Sequence, residues 1–141
     1  NHASIVDGVR LAVRGGSTSS AGGTASAGRS RLHVYGHNDM GHLDELLSAA
    51  ATRAGEPGRR KLVITDSLFS MDGDFADLQA LATLKAHHGF LLAVDEAHAT
   101  LVCGDNGAGA AAAAGVSSSV DVHIGTLSKA VGAQGGFVAC T

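Results

Sequence analysis

The sequence predicts an α/β protein, a mostly parallel sheet flanked by helices in three layers. Three observations predict it. Short apolar runs alternate with helical patterns at least three times, the connections are long enough for crossovers, and polar residues collect where the runs end. Ligands of such sheets gather at the carboxyl ends of the strands. Residues 65–66, 95–98 and 126–129 fall at those ends, which favours one site over three unrelated polar patches.

Taken in order, Ser4 caps a helix over residues 4–14, with Ile5, Val9, Ala12 and Val13 on one side. Residues 15–30 are almost entirely Gly, Ser, Ala and Thr, which reads as a flexible surface insertion. Glycine-rich loops that cradle phosphate follow a strand and open a helix; this one follows a helix, which argues against that role. Residues 31–35 read as a strand. Asn38-Asp39 then caps a helix whose Leu43, Leu46, Leu47 and Ala50 recur at helical spacing. Gly55-Glu-Pro-Gly58 is a turn and Lys61-Leu-Val-Ile-Thr65 a β-rich run. Asp74 or Asp77 begins a helix with Leu78, Leu81 and Leu84 inward and Gly89 as its stop. Strands at 90–94, 120–125 and 137–140, with a short helix at 108–115, complete the pattern.

With 141 residues and a hydrophobic fraction of 45%, the chain can build one core. It opens without methionine and stops directly after a strand, so we expect a segment of a longer protein. The formal charge of −3, with no basic cluster beyond Arg59-Arg60-Lys61, argues against nucleic acid as a partner. No apolar run reaches membrane-spanning length, so no membrane association is expected. Cys103 and Cys140 lack C-x-x-C spacing and are expected as reduced thiols of an intracellular protein.

Two polar strand ends carry the chemistry. Leu91-Leu-Ala-Val-Asp-Glu-Ala-His98 supplies Asp95 and His98; Val122-His-Ile-Gly-Thr-Leu-Ser-Lys129 supplies Thr126, Ser128 and Lys129. A carboxylate, an imidazole and a lysine can together hold pyridoxal phosphate: the lysine as Schiff base, the carboxylate on the pyridine nitrogen, the imidazole on the phenolic oxygen. Lys129 needs its neutral form to attack an aldehyde, which partial burial favours; Thr126 and Ser128 beside it offer phosphate donors. The plainer readings are a lysine in water, a loop-ordering Asp95 and a surface His98. No histidine pair has a convincing third metal ligand, and His87, His88 and His123 read as structural or exposed, so no catalytic metal is expected. Residues 66–74 lack the ligand run of a calcium loop, and Ser70 instead offers a hydroxyl to the pocket. Val94-Asp-Glu-Ala-His98 also spells a helicase box, but no G-x-x-x-x-G-K-[ST] loop accompanies it.

Five blocks together resemble the α-oxoamine synthases, pyridoxal-phosphate enzymes of the aspartate-aminotransferase fold. They are Asn1-His-Ala-Ser-Ile-Val-Asp-Gly8, Thr65-Asp-Ser-Leu-Phe-Ser-Met-Asp-Gly-Asp74, Val94 to His98, Cys103-Gly-Asp-Asn-Gly-Ala-Gly109 and Gly125-Thr-Leu-Ser-Lys-Ala130. The resemblance implies that residues 1–141 form an incomplete pyridoxal-phosphate-binding large domain, without its amino-terminal segment and carboxy-terminal small domain and inactive on its own. It implies Lys129 as the Schiff-base lysine, Asp95 on the ring nitrogen, His98 on the phenolic oxygen and catalytic with Lys129, and His2 stacked on the ring and touching substrate. Ser70 would line the cofactor pocket and Thr126 bind near the phosphate. The implied reaction is decarboxylating condensation of an amino acid with an acyl-CoA. Residues 65–74, 101–104 and 135–140 are most similar to the branch that joins L-alanine to pimeloyl-CoA in biotin biosynthesis. Sibling acyltransferases using glycine or serine, and a non-catalytic partner subunit, are the alternatives; Lys129 counts against the last. Members are homodimers, and the implied location is cytoplasmic or peroxisomal. Glu96 stands where members often carry Asp and Ala99 where they often carry Gly; neither removes a chemical group.

Overall fold

The computed structural model describes residues 1–15, 30–52 and 60–140. Most of the Gly/Ser-rich tract and the turn expected at 55–58 lie outside the described residues.

The first helix, α1 (Ala3–Gly15), begins one residue earlier than expected and is capped differently. The His2 carbonyl accepts the amides of Ile5 at 3.0 Å and Val6 at 3.3 Å, so His2, not Ser4, occupies the cap position. Ser4 lies inside the first turn, where its amide reaches back to His2 Nδ1 at 3.3 Å. Ile5, Val9 and Val13 are half-buried, whereas Ala12 is exposed.

Residues 31–35 do not form a strand. A strand exists only with a partner, and the outer edge of the first strand is taken elsewhere: Asn1 Nδ2 donates to the Ile64 carbonyl at 3.1 Å, and the Asp66 amide donates to Asn1 Oδ1 at 3.1 Å. Without a ladder, Val34 of this segment stays exposed.

Helix α2 (Met40–Thr52) is capped by Asp39, whose Oδ1 accepts the His42 amide at 2.9 Å. Leu43 and Leu47 are buried and Leu46 half-buried, while Ala50 is exposed. Strand β1 (Leu62–Asp66) follows, then α3 (Leu78–His88). Asp77, not Asp74, caps α3 by accepting the Ala80 amide at 2.9 Å, and Gly89 closes it in the left-handed conformation, φ 62°. Next come β2 (Leu91–Asp95), α4 (Ala110–Ala113), β3 (Val122–Thr126) and β4 (Gly136–Cys140).

The sheet order is β1-β2-β3-β4, with the first three strands parallel and β4 antiparallel to β3. Connection length decides this. A helix fits between each pair of parallel strands, whereas only residues 127–135 join β3 to β4, too few for a crossover. Leu92, Ala93 and Val94 are all buried, so the central strand is covered on both faces, as parallel strands usually are. Leu43, Leu47, Leu81 and Val120 pack into the same core.

At the amino edge of the sheet, Asp121 accepts the Lys85 ammonium at 2.5 Å and the Leu92 amide at 2.6 Å, and Lys85 also donates to the Ser119 carbonyl at 2.7 Å. The Lys85 hydrogen bond is the main reason the Asp121 carboxyl lies below its ordinary range. Among the described residues no helix is long and apolar enough to cross a membrane.

Candidate functional site

At the carboxyl edge, Asp66 and Asp95 close adjacent strands as register partners. Ser67, fully buried, donates both its amide (2.8 Å) and its hydroxyl (3.0 Å) to the Asp95 carbonyl, and the Glu96 amide reaches the Ile124 carbonyl at 2.8 Å. These bonds extend the sheet one step beyond the ladders and fix the point at which the chain turns. Asp95 Oδ1 accepts the Ala97 amide at 2.9 Å, leaving Oδ2 without a hydrogen bond among the described residues. Asp95 therefore orders its own loop and still presents one carboxylate oxygen.

The Glu96 carbonyl accepts the amides of Ala99 at 2.9 Å and Thr100 at 2.8 Å, winding the chain into the turn that carries His98. His98 Nε2 lies 2.6 Å from Lys129 Nζ. With Nζ as the donor, Nε2 accepts and the ring carries its proton on Nδ1; with a neutral amine the roles can reverse. Lys129 stands on the β3–β4 hairpin, whose ends are tied by the Leu127 amide to the Gly135 carbonyl and the Ala133 amide to the Leu127 carbonyl, at 2.9 and 2.8 Å. Thr126 Oγ1 pairs with Ser128 Oγ at 2.8 Å and accepts the Ser128 amide at 3.3 Å, so the two hydroxyls are adjacent.

Lys129 is exposed, not partly buried as the sequence led us to expect. It projects from a hairpin ending in β4, an edge strand exposed along its whole length. The imidazole contact, not burial, is what distinguishes this lysine.

His2 enters from the side of β1: its amide donates to Asp66 Oδ2 at 2.8 Å, and its ring Nδ1 pairs with Ser4 Oγ at 2.8 Å. Ser70 is exposed in the turn after β1 and makes no hydrogen bond to Asp95, His98 or Lys129 among the described residues. Thus Lys129 and His98 are in contact, Asp95 and Thr126 end the neighbouring strands, and His2 is joined to that edge through Asp66. Ser70 is not brought into contact with them.

Asp66 and Glu96 fall within the strand ends that sequence reasoning marked and Ser67 within a quoted block, but none of the three was assigned a role. Glu96 is buried, accepts the Ala111 amide at 2.9 Å and faces His123 Nδ1 at 3.5 Å. The available signal was the same one that singled out Asp95: a charged residue closing an apolar run.

Two other polar clusters make no hydrogen bond to Lys129, His98 or Asp95 among the described residues. His88 bonds Asp44 at 2.5 Å where α3 ends, at the opposite edge of the sheet; with His87 these residues bring three ligand atoms within 4.8 Å of one another, as do His37, Asp72 and Asp74. A cavity of about 830 Å³ opens between α1, α2, β1 and residues 30–38, lined by Ile5, Val9, Val13, Leu43 and Leu47 among others. Lys129, His98 and Asp95 are not among its walls.

The geometry fits pyridoxal phosphate as a donor set: an amine touching an imidazole, a carboxylate with one oxygen unengaged, and paired hydroxyls at adjacent strand ends.

Comparison with known proteins gives a consistent picture. The family model for aminotransferase class I and II matches residues 21–141. An 8-amino-7-oxononanoate synthase of Arabidopsis thaliana is 49% identical over the whole chain, which spans 26% of that protein; one of Anaeromyxobacter sp. strain Fw109-5 is 50% identical over 99% of the chain, which spans 30% of it. Among solved structures, a high-resolution serine palmitoyltransferase with PLP as internal aldimine superposes over 99% of this chain and 30% of its own, with a TM-score of 0.77 at 32% identity. The Sphingomonas wittichii serine palmitoyltransferase gives 0.78 at 34% identity, with the same coverage.

Proposed function

The chain belongs to the aminotransferase class I and II family, and from that premise we propose that it is the cofactor-binding part of a pyridoxal-phosphate-dependent acyltransferase. The reaction is the decarboxylating condensation of L-alanine with pimeloyl-CoA, giving 8-amino-7-oxononanoate for biotin biosynthesis, with two copies of the protein forming a homodimer. The observation that carries the reading is the 2.6 Å contact of Lys129 Nζ with His98 Nε2 at the edge where Asp95 ends its strand. Relatives about 50% identical and named 8-amino-7-oxononanoate synthase support the substrate choice.

Pyridoxal phosphate, when bound, supplies an aldehyde that exchanges amines and a ring that accepts the electrons of a bond broken at the amino acid's α-carbon. The residues of the chain do the rest. Lys129 Nζ is the attacking amine, and His98 Nε2 is placed to take its surplus proton. Nζ, when free, would serve as the base for the α-proton of the amino acid. Asp95 Oδ2 would hold the proton of the ring nitrogen through a charge-assisted hydrogen bond, which would keep the ring electron-poor. Thr126, with Ser128 alongside, would donate hydroxyls to the phosphate, the His2 ring would stack on the cofactor and meet substrate, and Ser70 would line the pocket without bonding Lys129, His98 or Asp95.

A second reading, a sibling acyltransferase of the glycine or serine type, is favoured by the likeness to serine palmitoyltransferases. Turnover by the full-length protein separates the two. Alanine, glycine and serine are each assayed against short-chain, pimeloyl and palmitoyl thioesters of CoA; alanine with pimeloyl-CoA is expected to give the highest kcat/KM. A preference for serine with palmitoyl-CoA would overturn the substrate assignment, and a cofactor spectrum unchanged in Lys129→Ala would overturn the lysine.

A further inference from the structure

We propose that Asp66 is a positioning residue that sets the His2 ring against the cofactor; this rests on reading Lys129, Asp95 and His2 as a pyridoxal phosphate site. Asp66 closes β1 and is only 6% exposed, where a carboxylate is costly unless donors or positive charge meet it. Its Oδ2 takes the His2 amide at 2.8 Å. His2 is also the cap of α1, its carbonyl taking the Ile5 and Val6 amides. The carboxylate thus sits at the positive end of the helix dipole, which compensates its charge.

The His2 ring is held at a second point. Its Nδ1 accepts the Ser4 amide at 3.3 Å and pairs with Ser4 Oγ at 2.8 Å, so the neutral ring carries its proton on Nε2, which has no hydrogen bond among the described residues. Asp66 fixes the backbone and Ser4 the ring, and together they set where the imidazole plane lies. The same arrangement serves Asp95. Two carboxylates that are register partners on adjacent strands repel unless each has its own positive partner. The α1 terminus answers Asp66, which leaves Asp95 for the ring nitrogen.

The test is a double-mutant cycle in the full-length protein, comparing Asp66→Ala, His2→Ala and the double variant with wild type. One readout is the pyridoxal phosphate dissociation constant from titration of the apoprotein; the other is amide hydrogen exchange over residues 2–6 of the apoprotein. Each single variant is expected to weaken cofactor binding about tenfold or more, the scale of a hydrogen bond to a charged group. The double variant is expected to bind no more weakly than His2→Ala alone, and exchange over residues 2–6 to quicken at least tenfold in Asp66→Ala. Should Asp66→Ala fail to fold, Asp66→Asn, whose amide oxygen still accepts, carries the same cycle with a smaller non-additive loss. Losses that multiply, or an unchanged dissociation constant, overturn the positioning role. Wild-type apoprotein that takes up no pyridoxal phosphate overturns the site reading itself, and this inference with it.

Discussion

Nζ of Lys129 lies 2.6 Å from Nε2 of His98 although 31 positions separate them in the chain. The contact exists because β2 and β3 are parallel neighbours whose carboxyl ends finish side by side. In the full-length protein, His98→Ala is expected to lower turnover by about 10- to 100-fold, the scale of a hydrogen bond to a charged group, while the lysine-linked cofactor absorbance persists. Lys129→Ala is expected to abolish both. Steady-state kinetics and absorbance on the two variants check this, and full turnover by His98→Ala would make the contact incidental.

Gly109 leaves room for a buried carboxylate. A Cβ there would sit 2.6 to 2.8 Å from the carboxylate atoms of Glu96, and the backbone holds φ at 99°, a conformation that side chains resist. Gly109→Ala is expected to cost at least about 2 kcal/mol from strain and overpacking together. Glu96→Ala, which strands the Ala111 amide, is expected to cost about 1 to 3 kcal/mol. Chemical denaturation measures both.

The pair of Lys85 and Asp121 makes stability depend on pH in a defined direction. The Asp121 carboxyl is held below its ordinary value of 3.8, chiefly by the Lys85 hydrogen bond. Its contribution is therefore fully present above that value and is lost as pH falls through the lower, folded-state value. Denaturation midpoints of the wild type are expected to drop more steeply than those of Asp121→Asn below about pH 4, with the two curves parallel near neutrality. Parallel curves in acid as well would refute the coupling.

Helix α3 depends on its two ends. Removing the Asp77 cap by Asp77→Ala is expected to cost about 0.5 to 2 kcal/mol, and Gly89→Ala about 1 to 2 kcal/mol because Gly89 is left-handed. Asp77→Ser, which keeps an acceptor, is expected to recover most of the first loss in the same denaturation assay.

What the sequence made legible was local. Lys129, Asp95 and His98 stood out as polar groups at the ends of apolar runs, and Asp74 or Asp77 and Gly89 as helix punctuation; the structure keeps Asp77 of the two and places Gly89 at the stop. The rest depended on partners far along the chain. Residues 31–35 carry strand-like residues, yet a strand needs a free edge, and Asn1 holds that edge. Asp66 gains its meaning from His2, 64 positions away, and Glu96 from Ala111, neither of which any local period reports. Lys129 is exposed on the hairpin that leads to β4, which the apolar run before it did not signal. The direction of β4 was not read from the sequence, although the nine residues 127–135 are too few for a parallel crossover.

Helix α1 keeps two kinds of sequence apart. His2 stands at its first turn and the Gly/Ser-rich tract leaves from its last, and a rod of thirteen residues spans roughly 20 Å. The full length of the helix thus separates the imidazole from the point where the tract joins it.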